Sequence, residues 1–172
     1  MAQKKRSDKQ KPKTTVSAYD AALKFLTPKA RTVREVELKL DEGCYSEGEI
    51  MMTVERLTEA GLLDDEKYAR DFVGSRLSTK PVSRFRLSEQ LRAHFVPRDV
   101  IDSVLDSLEQ GVESENAVKV AEKFLRQFEN IEDEEEKLKR VYARLRTRGF
   151  DHDTITEAIR YCTQDRQTTE ND

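Results

Sequence analysis

The chain has 172 residues, 36% of them hydrophobic and 38% charged, with a formal net charge of −3. Gly and Pro together number only ten and Trp is absent, a composition that favours helix over sheet and works against one deep globular core. It suits an elongated stack of small helical units, each with its own thin core.

Residues 1–13 carry six Lys and Arg against one Asp and almost no apolar content. Residues 1–16 therefore read as a disordered basic arm, either weakly attractive to polyanions or merely solubilising. A first helix is expected over residues 17–26, with Ala18, Ala22, Phe25 and Leu26 on its apolar face. Val36 and Leu40 mark a second helix, and Ile50, Val54 and Leu57 a third, with Tyr45 plugging the corner between them. Ser46 and Glu49 have the spacing of a capping box at the start of that third helix.

Beyond a linker near residues 61–65, a helix over 66–77 presents Tyr68, Ala69, Phe72 and Val73. The helix–corner–helix pattern then returns as Leu87 and Leu91, Val96, and Ile101, Leu105 and Leu108, with Pro97 as helix starter. A second linker is expected near residues 111–114, then a helix over 115–128 with Val118, Ala121, Phe124, Leu125 and Phe128 inward. The pattern closes with Val141 and Leu145, Phe150, and Ile155, Ile159 and Cys162, with Asp151 as N-cap.

The three corner patterns are one register repeated. Shifting the first set by 51 gives the second, and a further 54 gives the third, and seventeen of the eighteen positions are aliphatic or aromatic. Two helices cannot enclose a core and three can, so the preceding helix completes each unit. The predicted fold is all-α: three tandem three-helix repeats, nine helices, in an elongated, curved array. The boundaries are residues 17–63, 64–111 and 112–164, with a disordered tail over 165–172.

Charge alternates in blocks along this array. Net values are +5 for residues 1–13, −6 for 14–66, +6 for 67–98, −10 for 99–136, +6 for 137–148 and −4 for 149–172. The two internal basic blocks hold Arg76, Lys80, Arg84, Arg86 and Arg92, and then Lys137, Arg140, Arg144, Arg146 and Arg148. Basic stripes on helices are the electrostatic footprint of nucleic-acid contact; the competing reading is a solvated face balanced by neighbouring acids. Arg140, Arg144 and Arg148 recur at one-turn spacing and read as a row. The acidic run over residues 132–136 is a solvated, helix-starting linker, or else a mimic of a phosphate backbone or a docking strip for a basic partner. Phe85 lies about 160° around its helix from Leu87. It either packs on the neighbouring repeat or faces outward to stack on a base or a partner side chain.

No enzyme constellation appears. Cys44 and Cys162 share no ligand spacing with each other or with His94 and His152, and they read as small buried hydrophobes in a reducing compartment. Asp64, Asp65 and Glu66 fit a helix start better than a metal or acid–base site. There is no P-loop, dinucleotide turn or Ser elbow. No cofactor, no membrane span and no secretory signal are expected, which points to the cytoplasm.

Gly61-Leu62-Leu63-Asp64-Asp65-Glu66-Lys67-Tyr68-Ala69-Arg70 closely resembles the signature of the RecX family of recombination regulators. Its characteristic positions here are Gly61, Leu62, Asp64, Asp65, Tyr68 and Ala69. The resemblance extends to Ala18-Tyr19 with Ala22-Leu23, to Phe72-Val73 with Ser75-Arg76, and to Arg148-Gly149-Phe150, covering roughly residues 17–163. The chain departs from the family at His94-Phe95, where a Lys-Gly or Arg-Gly pair is common, and after Arg76, where a Gly-containing basic segment is usual. The resemblance implies a non-catalytic monomer that binds the RecA filament and its single- or double-stranded DNA. It further implies suppression of ATP hydrolysis and strand exchange, and so regulation of DNA repair and the SOS response.

The alternative is a helix-turn-helix-like DNA-binding protein with no RecA partner. Against it, the third helices carry Glu47, Glu49, Glu55, Glu59, Asp99, Asp102, Asp106 and Glu157 where a reading helix wants Arg, Asn or Gln. A tetratricopeptide scaffold would need a 34-residue period that is absent.

Overall fold

A computed structural model describes residues 16–169, with side chains to residue 164. The basic arm expected over residues 1–16 lies, but for its last residue, outside the described residues, as do 170–172. Among the described residues there are nine helices and no strand: α1 (Ala18–Leu26), α2 (Val33–Glu42), α3 (Glu47–Glu59), α4 (Asp65–Thr79), α5 (Arg84–Ala93), α6 (Arg98–Asp106), α7 (Val112–Gln127), α8 (Glu134–Arg146) and α9 (His152–Thr169). They fall into two compact units, α1–α3 and α4–α9, dividing after Asp64.

Each repeat has its own core, built from the residues of the shared register. Ala18, Ala22, Val36, Leu40 and Leu57 are buried in the first repeat, with Tyr45, Ile50 and Val54 packed against them. Leu87, Leu91, Val96, Ile101 and Leu105 join Ala69 and Val73 in the second. Val141, Leu145, Phe150, Ile155 and Cys162 join Ala117, Ala121, Phe124 and Leu125 in the third. Each third helix also buries a residue that the register skips: Thr53, Val104 and Ala158. They follow Ile50, Ile101 and Ile155 by three, so the buried stripe is i, i+3, i+4, i+7. Thr in the first repeat hides that position from a search for apolar residues alone.

The helix starts follow local chemistry. Ser46 and Glu49 form the expected capping box, and Thr32 and Glu35 form a second. Asp151 Oδ1 accepts from the Thr154 amide at 2.8 Å. Those amide bonds hold the Asp151 carboxyl below its usual pKa. Two boundaries differ from the sequence reading. Gly111, left-handed at φ 91°, starts α7 directly, so residues 112–114 are helix rather than linker. Helix α9 continues to Thr169 rather than giving way to a tail at 165, because no Gly or Pro interrupts residues 152–169.

The corner between middle and third helix is left-handed in all three repeats: Cys44 at φ 60°, Phe95 at φ 61° and Gly149 at φ 89°. These are one register position, immediately before the plug residue. Cys44 is therefore exposed and not the buried hydrophobe the sequence suggested, while Cys162 is buried. Gly149 has a second reason to be glycine. A Cβ there would lie 2.5 Å from Ser83 Oγ and 3.0 Å from Arg86 Cβ, because the α8–α9 corner presses on the start of α5.

The same position therefore gives opposite outcomes in two repeats. Cys44→Gly relieves left-handed strain and should stabilise the α1–α3 unit by about 1 kcal/mol. Gly149→Ala adds that strain and a clash, and should destabilise the α4–α9 unit by about 2–4 kcal/mol. Chemical denaturation of each variant measures both; a neutral Gly149→Ala would show that the α8–α9 corner does not bear on α5.

Candidate nucleic-acid interface

All ten basic residues singled out in the sequence lie in the α4–α9 unit, where second and third repeats dock against each other. The structure sorts them by what each guanidinium or ammonium touches.

Two are committed to the protein's own backbone where the repeats meet. Arg84 opens α5, and its guanidinium donates to the Leu105 carbonyl at 2.9 Å, the Leu108 carbonyl at 3.1 Å and the Glu109 carbonyl at 3.3 Å. The Arg84 amide donates to Glu113 Oε1 at 3.2 Å, on the first turn of α7. One side chain thus serves the carbonyl end of α6, whose free acceptors attract a cation. Arg148 does the reciprocal job from the third repeat. Its Nη1 donates to the Pro81 carbonyl at 3.2 Å, and its own carbonyl accepts from the Ser83 amide at 3.1 Å. Burial, and then the charge of Arg144, push the Arg148 guanidinium below its ordinary pKa. An arginine so shifted still stays cationic at neutral pH.

Others are paired on their own helix. Arg86 bonds Glu89 at 2.8 Å, Arg140 bonds Glu136, and Lys137 bonds Glu134 with its side chain only 13% exposed. Arg76 lies over the Phe72 ring at 5.1 Å, and Arg144 over Phe124 at 5.7 Å. Arg140, Arg144 and Arg148 are therefore one row in spacing but not one environment. Arg140 is bonded to a carboxylate, while Arg144 and Arg148 share the Phe124 ring, at 5.7 and 5.4 Å, and Arg148 also reaches into the repeat junction.

Lys80, Arg92 and Arg146 remain. All three are exposed, and none makes an ion pair with another described residue. Arg92 and Arg146 occupy equivalent positions, 54 residues apart, in the last turns of α5 and α8. A cation there suits the helix terminus and leaves its head group in solvent.

Phe85 is 65% exposed and does not pack into a core. It lines a groove of about 750 Å³ between the repeats, with Arg86 on its own helix and Arg146, Thr147 and Gly149 opposite. The histidines are helix-end residues. His94 caps α5 against Tyr68 and Phe72, and His152 opens α9 at 3.1 Å from the Tyr142 hydroxyl. Glu113 is the functional partner that sequence reasoning missed, since it fell in a presumed linker. Among the described residues no three His, Cys, Asp or Glu side chains gather as a metal site, and no helix is long and apolar enough to cross a membrane.

The signature residues mark the passage between the two units. Gly61 is left-handed at φ 67°, Leu62 is half exposed, and Asp64 immediately precedes α4. Asp65 starts α4, Tyr68 stacks with Phe72, and Ala69 is fully buried. The acids of the third helices stand in solvent: Glu47, Glu49, Glu55, Glu59, Asp99, Asp102, Asp106 and Glu157 are all exposed. A helix so lined would repel a major groove.

Tandem three-helix repeats, each with its own core, and with cations both in their junction and in solvent, define a class of helical-repeat protein. Family models for the first, second and third three-helix domains of RecX match residues 18–57, 64–105 and 112–159, and the chain belongs to the RecX family. It is 32% identical to Regulatory protein RecX of Chlorobium phaeobacteroides over 142 residues, 83% of this chain and 91% of the relative. It is also 32% identical to Regulatory protein RecX of Mycobacterium ulcerans over 148 residues, 86% of each. The crystal structure of RecX from Lactobacillus salivarius superposes with a TM-score of 0.72 at 25% identity, covering 84% of this chain and 93% of that one.

Arg84 is a positioning residue on this geometry. Arg84→Met should destabilise the α4–α9 unit by about 1–3 kcal/mol through removal of three charged hydrogen bonds. Arg146→Ala, on an exposed unpaired cation, should stay within about 0.5 kcal/mol of the parent. Thermal melts that ranked the two variants in the reverse order would refute the sorting.

Proposed function

We propose that this chain is a non-catalytic regulator that binds a RecA-type recombinase filament together with its DNA and lowers ATP hydrolysis and strand exchange. Family membership supports the regulatory role. The observation that carries the DNA contact is the pair Arg92 and Arg146: equivalent in register, exposed, and without a carboxylate partner among the described residues. Lys80 extends the set. Arg86, Arg140 and Arg144 are exposed and available by exchanging surface partners that contribute little to stability. Arg84 and Arg148 keep the second and third repeats in one orientation, so that the cations of both are presented as a fixed set. Phosphate contact of this kind positions a protein without reading sequence. That suits a partner which must act wherever a filament forms.

Two measurements test the proposal. Adding the protein to RecA on single-stranded DNA should lower ATP turnover; unchanged turnover at saturating protein would exclude the recombinase reading. Changing Arg92 and Arg146 together to Ala should weaken single-strand binding and reduce the log–log salt slope by about 1.4, at about 0.7 for each phosphate that is no longer neutralised. A slope equal to the parent's would move the DNA contact off these two residues.

A further inference from the structure

The α1–α3 unit carries a surface that DNA contact by the second and third repeats does not use. Between α2 and α3 lies a groove of about 680 Å³. Ile50, Met51 and Val54 contribute its apolar lining, and Met51 is 67% exposed. An exposed, unbranched thioether in an open groove is adaptable contact surface. The rim is acidic. Arg34 is neutralised by Glu37 at 2.8 Å, which leaves Asp41, Glu47 and Glu55 lining the groove with no ion pair to another described residue.

The repeat supplies an internal control. Asp41 corresponds to Arg92 and Arg146, Glu47 to Arg98 and His152, and Met51 to Asp102 and Thr156. The scaffold thus tolerates cations or polar groups at every one of these places. The acids and the methionine of the first repeat are not required by the three-helix fold. At the Asp41 and Glu47 positions the first repeat is acidic where the second carries arginine, while Glu55 has Asp106 and Arg160 as its counterparts.

We propose that the α2–α3 groove of the first repeat binds a basic amphipathic helix of a protein partner. The apolar lining receives side chains spaced i, i+3, i+4 and i+7 along that helix, and the three unpaired carboxylates take its Lys or Arg residues. The proposal goes beyond the DNA contact described above, and its test does not use DNA or recombinase.

The probe is a fluorescent synthetic helix with Leu at i, i+3, i+4 and i+7 and Lys elsewhere, titrated with the full chain and followed by anisotropy. A scrambled peptide of the same composition keeps the charge and loses the stripe. The amphipathic peptide should bind at least about tenfold more tightly than the scrambled one. Met51→Ser should weaken it by about tenfold, the order expected for one buried methionine side chain. Glu47→Lys with Glu55→Lys should weaken it more at low salt than at high salt. These positions are exposed, so unchanged melting temperatures separate failed binding from failed folding. Equal affinity for both peptides, or a Met51→Ser variant that binds as the parent does, overturns the proposal. Binding that appears only after deletion of residues 1–15 makes the chain's own basic arm the occupant and overturns it too. So does a dimer in sedimentation equilibrium that Met51→Ser dissolves.

Discussion

The left-handed turn at residues 44, 95 and 149 fixes the angle at which each third helix returns over its middle helix. The plug residue that follows, Tyr45, Val96 or Phe150, then enters or flanks the core. Three short helices have little apolar surface to bury, so a core this thin tolerates no slack at its corner. Only one of the three turns uses glycine. In the other two, tertiary packing outweighs the steric preference of Cys and Phe for right-handed or extended backbone. At Gly149 the conformation and the close approach to Ser83 coincide, and the second and third repeats dock there.

The junction also redistributes charge. A sequence-level count treats each Arg as an equal contributor to a basic patch. In the folded chain Arg84 and Arg148 are committed to backbone carbonyls, Lys137 is nearly covered, and Arg76 and Arg144 lie on aromatic faces. Arg92 and Arg146 reach solvent unopposed by a described carboxylate. A cation whose hydrogen bonds are already satisfied inside the protein gains little from a phosphate, because moving it would expose unsatisfied carbonyls. The division between arginines bound within the fold and arginines open to solvent follows from that asymmetry.

Tandem repetition makes such divisions visible. Equivalent positions share a local backbone environment, so a residue that differs among them and meets no neighbouring repeat is not dictated by the three-helix fold. Asp41, Arg92 and Arg146 occupy one position with opposite signs. At this position the first repeat presents an acid where the later two present a cation.

The nine helices, their grouping in threes and most of the core were legible in the sequence, because 3.6-residue periodicity and a repeated register are local properties. The RecX signature, Gly61 through Ala69, was legible for the same reason. The burial of Thr53, the helical start at Val112, the outward Phe85 and the exposed Cys44 were not. Each depends on which side of a helix meets a neighbour, or on a turn conformation that its residue type does not favour. The roles of Arg84, Glu113 and Arg148 were hidden for a further reason. Their partners lie 21 to 67 residues away along the chain, and charge pattern along a sequence carries no information about distance in space. The sequence alone determined the family, the repeats and the supply of cations. The packing of the second and third repeats decided which of those cations bind the protein to itself and which remain in solvent.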